Sequence, residues 1–121
     1  MGNPFVHVEL ATQDLPKARS FYQSLFDWKF EDHDMGGGQT YTLVKVGDGT
    51  GGGMMKHPMA NAPSAWLAYV GVDDVRAATA KAKSLGATII RDVTEVPGAG
   101  EFSIFVDPTG AYLALWQPKA K

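Results

Sequence analysis

Hydrophobic and polar residues alternate at the start of the chain and then change to a helical spacing. Over residues 5–11, aliphatic side chains alternate with His7 and Glu9, which predicts a half-buried strand with one aliphatic face. Apolar residues then recur at helical spacing over 15–25, and Asp14 is placed to cap that helix. Three further strand patterns follow, at residues 28–30, 39–46 and 49–56.

The same order of elements recurs sixty residues further along the chain. Asp14 and Leu15 correspond to Asp74 and Val75, and Gly86 is placed to end the second helix. The strand patterns of the second half lie at 66–72, 87–91, 102–106 and 111–117. The sequence therefore predicts one α+β domain, 1–121, built from two tandem βαβββ modules. Their approximate bounds are 4–57 and 65–118, with a proline-containing linker over 58–64.

Composition narrows the classes of function. The 121 residues carry a net charge of −2 with both signs interspersed, which argues against a nucleic-acid surface. No stretch approaches the ~20 apolar residues that cross a bilayer, so we expect no membrane partner. The chain has no cysteine and no pattern typical of a secretion signal, which excludes thiolate sites and favours a cytoplasmic protein.

Strand alternation predicts which side chains share the face away from the helices. Ligand pockets are concave and mostly apolar with a few polar groups, so this face is the expected binding surface of a cup for a small molecule. The aromatic members favour stacking on a planar ligand, although packing in the core explains them equally well. The predicted members are His7, Glu9, Leu67, Tyr69, Tyr112, Ala114 and Trp116.

Three segments carry a resemblance to a known family. Residues 5–22, 72–78 and 105–111 read FVHVELATQDLPKARSFY, VDDVRAA and FVDPTGA. Together with the βαβββ repeat they resemble the vicinal oxygen chelate superfamily, which includes glyoxalase I, bleomycin-resistance proteins and extradiol dioxygenases. The resemblance covers essentially the whole chain and is nearest to small bacterial glyoxalase-related proteins. It implies a cup-shaped partial barrel and a homodimer.

The resemblance also implies four positions for the ligands of a divalent metal. The first strand of each module supplies one ligand, which falls on His7 and, in the second module, on Leu67. The last strands supply the others, which fall on Ala114 and, sixty residues earlier, on Met54. Only His7 is a usual ligand for a hard divalent ion, and zinc needs about three protein ligands. We therefore expect no resident cofactor and assign Met54, Leu67 and Ala114 to an apolar ligand-binding cup.

Two further hypotheses remain open for the polar residues. A set of His7, Glu9 and His57 would be a chemically acceptable site for Zn, Ni, Fe or Mn. Nothing in the spacing requires this set, and His7 is more simply explained as a hydrogen-bonded histidine inside the cup. Glu9 is either a general base with a pKa raised by its apolar surroundings or an ion-pair partner of Lys45. His33 is interpreted as a solvated loop residue.

The sequence thus supports two classes of function. One is a glyoxalase-like lyase or isomerase in which His7 and Glu9 are the catalytic residues, with or without a metal. The other is a bleomycin-resistance-like module that sequesters a small, partly aromatic molecule. An extradiol dioxygenase is disfavoured, because that chemistry needs two histidines and one carboxylate around iron.

Overall fold

The computed structural model describes residues 2–119, without the side chains at positions 35 and 36. Two βαβββ repeats are present, which confirms the predicted α+β fold class. The elements of the first repeat are β1 (Phe5–Thr12), α1 (Leu15–Leu25), β2 (Lys29–Gly36), β3 (Gln39–Lys45) and β4 (Gly52–Lys56). Those of the second are β5 (Ala65–Gly71), α2 (Val75–Ser84), β6 (Thr88–Val96), β7 (Gly100–Val106) and β8 (Tyr112–Pro118).

The described chain divides into two compact units. The first unit is residues 7–67, and its strands lie in the order β2-β3-β4-β1. The second unit joins residues 68–119 to residues 2–6, and its strands lie in the order β5-β8-β7-β6. In each unit the first and last strands of the repeat pair in parallel and the other neighbours are antiparallel. Neither helix among these residues is long and apolar enough to cross a membrane.

Both helices begin at the aspartate that the sequence predicts. The Asp14 carboxylate accepts a hydrogen bond from the backbone N–H of Lys17 at 3.1 Å, and Asp74 accepts one from Ala77 at 3.0 Å. Each bond satisfies an amide that a helix start leaves without an intrahelical partner. In α2 the side-chain oxygen of Gln117 also accepts from the backbone N–H of Val75 at 2.8 Å.

The core of the first unit lies between its sheet and α1. Leu10, Val44 and Met54 are buried there, and Tyr22 and Trp28 are among the partly buried residues packed against them. Strand partners share a face of the sheet, and successive residues alternate between the two faces. The opposite face of this unit therefore carries His7, Glu9, Tyr41 and Gly53.

The second unit has an equivalent arrangement with a polar contact in its core. The hydroxyl groups of Thr79 on α2 and Ser103 on β7 are buried and lie 2.7 Å apart. Leu115 is the strand partner of Ser103 and so shares the helix-facing side. Ala114 and Trp116 therefore belong to the other face of this unit.

Equivalent residues of the two repeats are sixty positions apart in the first strands but sixty-one positions apart in the last strands. Glu9 pairs with Gly53 on β4, whereas Tyr69, sixty residues after Glu9, pairs with Ala114 on β8. A shift of one residue turns a side chain to the other face of a sheet. The predicted cup position of Met54 is therefore wrong: Met54 lies in the core, and Gly53 is the counterpart of Ala114.

Two predicted loops differ from the structure. His33 lies in β2, paired with Tyr41 of β3, rather than in a loop. β2 continues to Gly36 because its backbone pairs with β3 along this whole length, which outweighs the low strand preference of its charged residues. β6 likewise extends to Val96, five residues beyond the predicted end at Arg91.

Candidate functional site

A chain of hydrogen bonds joins His7, Tyr41 and Glu9 on the open face of the first unit. The Tyr41 hydroxyl oxygen lies 2.7 Å from Nε2 of His7 and donates to Oε1 of Glu9 at 2.9 Å. All three side chains are half-buried. The structure thus brings together the two predicted catalytic residues, and it does so through a tyrosine that the sequence analysis did not single out.

Tyr41 reaches His7 and Glu9 because the intervening strand carries a glycine at the contact. β4 lies between β3 and β1, and Gly53 pairs with Leu43 on one side and Glu9 on the other. A β-carbon at position 53 would overlap the hydroxyl and ring atoms of Tyr41. The phenol therefore occupies the space that a side chain at position 53 would need. Tyr41 is two residues from Leu43, the strand partner of Gly53, so it lies diagonally across this face from the glycine. A glycine inside a strand often marks such a close approach and is the sequence signal for this contact.

Burial lowers the pKa of His7 below its ordinary value of 6.5. The cause is desolvation, since an imidazolium loses hydration when the ring is taken out of water. The neutral imidazole is therefore the main form at neutral pH. A neutral imidazole beside a hydrogen-bonded carboxyl group is suited to accepting a proton from a bound molecule.

Lys45 does not have the role that the sequence suggested. Its ammonium group forms an ion pair with Glu31 at 2.8 Å, and His33 contacts the other oxygen of Glu31 at 2.7 Å. The hydrogen bond from Lys45 is the largest of the interactions that lower the pKa of Glu31. The structure therefore shows Lys45 paired with Glu31, and Glu9 hydrogen-bonded to Tyr41.

His57 is not brought to His7 and Glu9. Its Nδ1 accepts a hydrogen bond from the backbone N–H of Met59 at 3.0 Å, and its own backbone N–H donates to Thr12 at 2.8 Å. Because β4 is parallel to β1, the end of β4 lies beside the end of β1. His7 is five residues before Thr12, or roughly 16 Å along the strand. The predicted metal set of His7, Glu9 and His57 is therefore not assembled.

The residues present do not fit the divalent metal that the family resemblance implies. Over residues 2–119, no group of three or more His, Asp or Glu side chains is placed to hold a metal ion. In the first unit the last-strand position is Gly53, which has no ligating atom, and Met54 lies in the core. In the second unit the last-strand position is Ala114, which is fully buried. Leu67, on β5, is half-buried and aliphatic.

The predicted aromatic residues lie on the second unit. Tyr69 is buried and its ring centre is 6.3 Å from that of Phe102. Trp116 lies in a groove of about 390 Å³ together with Val6, Gly71 and Val72. Tyr112 is 62% exposed at the beginning of β8. The roles of Tyr69, Tyr112 and Trp116 in binding a ligand stay predictions.

Comparisons with known proteins agree with the fold. The model of the Glyoxalase/Bleomycin resistance protein/Dioxygenase superfamily matches residues 5–115. "Putative glyoxylase CFP32" of Mycobacterium tuberculosis is 34% identical over 110 residues, covering 91% of this chain and 42% of that protein. "Anthracycline biosynthesis protein DnrV" of Streptomyces peucetius is 28% identical, covering 90% of this chain and 45% of that protein. The chain thus spans less than half the length of these curated relatives.

Solved structures of other proteins have the same fold as this chain. A hypothetical protein from Bacillus halodurans superposes with a TM-score of 0.75 at 13% identity, covering 100% of this chain and 98% of that one. Methylmalonyl-CoA epimerase from Mycobacterium tuberculosis superposes with a TM-score of 0.71 at 17% identity, covering 96% of this chain and 88% of that one. Identities this low establish a shared fold alone.

Proposed function

Since this chain belongs to the Glyoxalase/Bleomycin resistance protein/Dioxygenase superfamily, we propose that it is a metal-independent acid–base catalyst acting on a small oxygen-containing organic molecule. The reaction class is that of a lyase or isomerase, in which a proton leaves or joins a carbon beside a carbonyl group. His7 and Glu9 are the proposed catalytic residues. The hydrogen-bonded chain of His7, Tyr41 and Glu9 is the observation that carries the proposal.

The protonation state of His7 favours proton abstraction. Its lowered pKa keeps the imidazole neutral near pH 7, so it accepts a proton without first losing one. The hydrogen bond between His7 and Tyr41 and the one that Tyr41 donates to Glu9 orient the imidazole ring and connect it to a carboxyl group. An acid–base pair of this kind contributes typically 10²–10⁴-fold to a rate.

The proposed independence from metal rests on how few metal-ligating atoms the site offers. A catalytic zinc site uses about three protein ligands with a fourth position for water, and harder ions need oxygen ligands. At the positions where the superfamily resemblance implies ligands, the first unit offers His7 alone. Tyr41 fills the space beside Gly53 with a neutral phenol, which is suited to hydrogen bonding.

Hydrogen exchange in deuterated water tests this proposal. Chelator-treated protein is incubated with 2-oxoaldehyde–thiol adducts and with simple α-hydroxy ketones, and loss of the carbon-bound proton signal is followed by NMR. We expect exchange in the metal-free protein and a loss of roughly 100-fold in His7→Ala and Glu9→Gln. His33→Ala is the matched control and keeps the activity. Exchange that requires added Zn, Ni, Fe or Mn would refute the metal-independent mechanism.

A binding function without turnover is the second candidate, and the apolar groove of the second unit favours it. Trp116 and Val6 line this groove, and the neighbouring Tyr69 and Phe102 rings are close together. Aromatic surfaces of this kind suit planar ligands. Quenching of tryptophan fluorescence by planar aromatic probes, lost in Trp116→Ala and kept in Trp28→Phe, would support it. Saturable binding with no hydrogen exchange would favour sequestration over catalysis.

We also propose that the chain pairs with a second copy through an exposed apolar patch formed by the last turns of α1, the residue after it and the start of β5. The patch consists of Phe21, Leu25, Phe26 and Trp66, which are 59%, 57%, 44% and 40% exposed. Their uncovered area is roughly 400 Å², taking aromatic side chains at 150–250 Å² each. That is in the range of the largest apolar patch on a typical monomer and would form the centre of a dimer interface of about 800 Å² per partner. Sedimentation of the wild type and of Phe21→Lys with Leu25→Lys tests the pairing; a wild-type monomer at millimolar concentration would contradict it.

A further inference from the structure

We propose that Tyr41 sets the tautomer of His7: its hydroxyl holds the neutral imidazole with the proton on Nε2, leaves the lone pair on Nδ1, and connects the ring to the Glu9 carboxylate. Tyr41 is thereby a positioning residue and a proton carrier for the site. The chemical consequence rests on the acid–base function proposed above. The tautomer itself is a property of the protein without substrate.

The donor and acceptor count at Tyr41 leads to this assignment. A phenol has one proton to donate, and an ionised carboxylate only accepts. The Tyr41 proton is therefore directed to Oε1 of Glu9, over 2.9 Å. The 2.7 Å contact between the Tyr41 oxygen and Nε2 of His7 must then be donated by the imidazole. A neutral imidazole has a single N–H, so Nδ1 carries the lone pair.

The contact between Tyr41 and His7 is held by the packing around Tyr41. The Tyr41 and His7 rings are nearly parallel, with 23° between their planes and 6.3 Å between their centres. Gly53 leaves the space in which the hydroxyl sits. Two rings from strands that are not neighbours are thus kept in one relative orientation, which a hydrogen bond alone would not ensure.

The arrangement gives a balanced path for one proton. When a substrate C–H bond breaks, its electron pair stays on the substrate as an enolate and its proton binds Nδ1 of His7. The Nε2 proton passes to the Tyr41 oxygen while the Tyr41 proton passes to Glu9. The imidazole and the phenol end neutral, and Glu9 becomes a neutral carboxylic acid. The negative charge of the carboxylate has in effect moved to the enolate, and the reverse sequence returns the proton.

The alternative is that the hydrogen bonds run in the opposite direction, from Glu9 through Tyr41 to His7. If Glu9 were protonated, it would donate to Tyr41, Tyr41 would donate to Nε2, and the imidazole proton would reside on Nδ1. The two arrangements have the same heavy-atom distances. They differ in which ring nitrogen of His7 carries hydrogen, and that difference is directly measurable.

Nitrogen NMR of histidine-labelled protein in the absence of substrate is the decisive measurement. At a pH above the His7 transition we expect a pyrrole-type resonance for Nε2 and a pyridine-type resonance for Nδ1. Tyr41→Phe should shift the tautomer ratio about five- to tenfold towards the mixture of a solvated imidazole, the amount expected from one hydrogen bond. Glu9→Gln should keep the Nε2–H tautomer, because the amide oxygen accepts from Tyr41 in place of the carboxylate. Tyr22→Phe, which removes a hydroxyl on the helix-facing side of the same unit, should leave the His7 spectrum unchanged.

The outcomes separate this inference from the proposed function. An Nδ1–H tautomer in the wild type, or a ratio unaffected by Tyr41→Phe, would overturn the inference even in a protein that catalyses exchange. An Nε2–H tautomer that depends on Tyr41, in a protein without any exchange activity, would support the inference and contradict the catalytic function. With both present, Glu9→Gln should keep the tautomer yet lose the exchange, since an amide oxygen does not take up the relayed proton.

Discussion

The substitution Gly53→Ala is the sharpest test of how the site is built. The added methyl group would occupy the position of the Tyr41 hydroxyl, so either Tyr41 must move or β4 must shift. Overpacking of this kind costs about 1–3 kcal/mol, and moving Tyr41 also breaks its bonds to His7 and Glu9. We expect a loss of about 2 kcal/mol in the free energy of unfolding, measured by urea denaturation with an unchanged slope.

A double-mutant cycle gives this prediction its control. In Tyr41→Leu the hydroxyl and the outer ring atoms that would meet the new methyl group are absent. Gly53→Ala in that background should be neutral or stabilising by up to about 1 kcal/mol, since alanine restricts the unfolded chain more than glycine does. The two substitutions should thus be coupled by about 2 kcal/mol or more. Effects that add within about 0.5 kcal/mol would contradict this prediction, because they would show that Gly53 and Tyr41 do not compete for one space.

Three further predictions concern metal, pH and the second unit. Purified protein should contain no stoichiometric divalent metal by elemental analysis; one equivalent that disappears in His7→Ala would contradict this. Burial lowers the pKa of His7 in the folded protein. As the pH falls, His7 is therefore protonated in the unfolded chain before it is protonated in the folded one. Stability should therefore decrease below about pH 6.5, and His7→Gln should flatten that part of the profile, with an unchanged profile as the refuting result. Thr79→Val should cost about 1–3 kcal/mol by leaving the buried Ser103 hydroxyl unpaired, and adding Ser103→Ala should restore part of it, whereas a further loss would contradict the pairing.

The helices and their caps were predictable because they depend on neighbours in sequence. Asp14 and Asp74 bond to amides three residues away, and the apolar spacing that follows each is local too. The first strand was predictable for the same reason, and its alternation placed His7 and Glu9 on one face. Local pattern alone therefore located both predicted catalytic residues.

The rest of the site depends on pairing across strands, which a single sequence does not reveal. Tyr41 meets His7 across 34 residues, and only the order β3-β4-β1 brings them together. The position of His57 depends on the parallel pairing of β1 with β4, which separates it from His7. β2 was predicted too short because its charged residues disfavour a strand, whereas pairing with β3 outweighs that preference.

The one-residue difference between the two repeats has a practical consequence for protein engineering. A designer who wished to introduce a carboxylate ligand beside His7 by copying the spacing of the second repeat would choose position 54. There the charge would replace a fully buried side chain next to Leu10 and Val44, at a cost of several kcal/mol. The β4 position on the face of the sheet that carries His7 is 53, paired with Glu9, and a glutamate there would require Tyr41 to be shortened at the same time. Gly53 and Tyr41 would therefore have to be replaced together in order to build a metal site around His7.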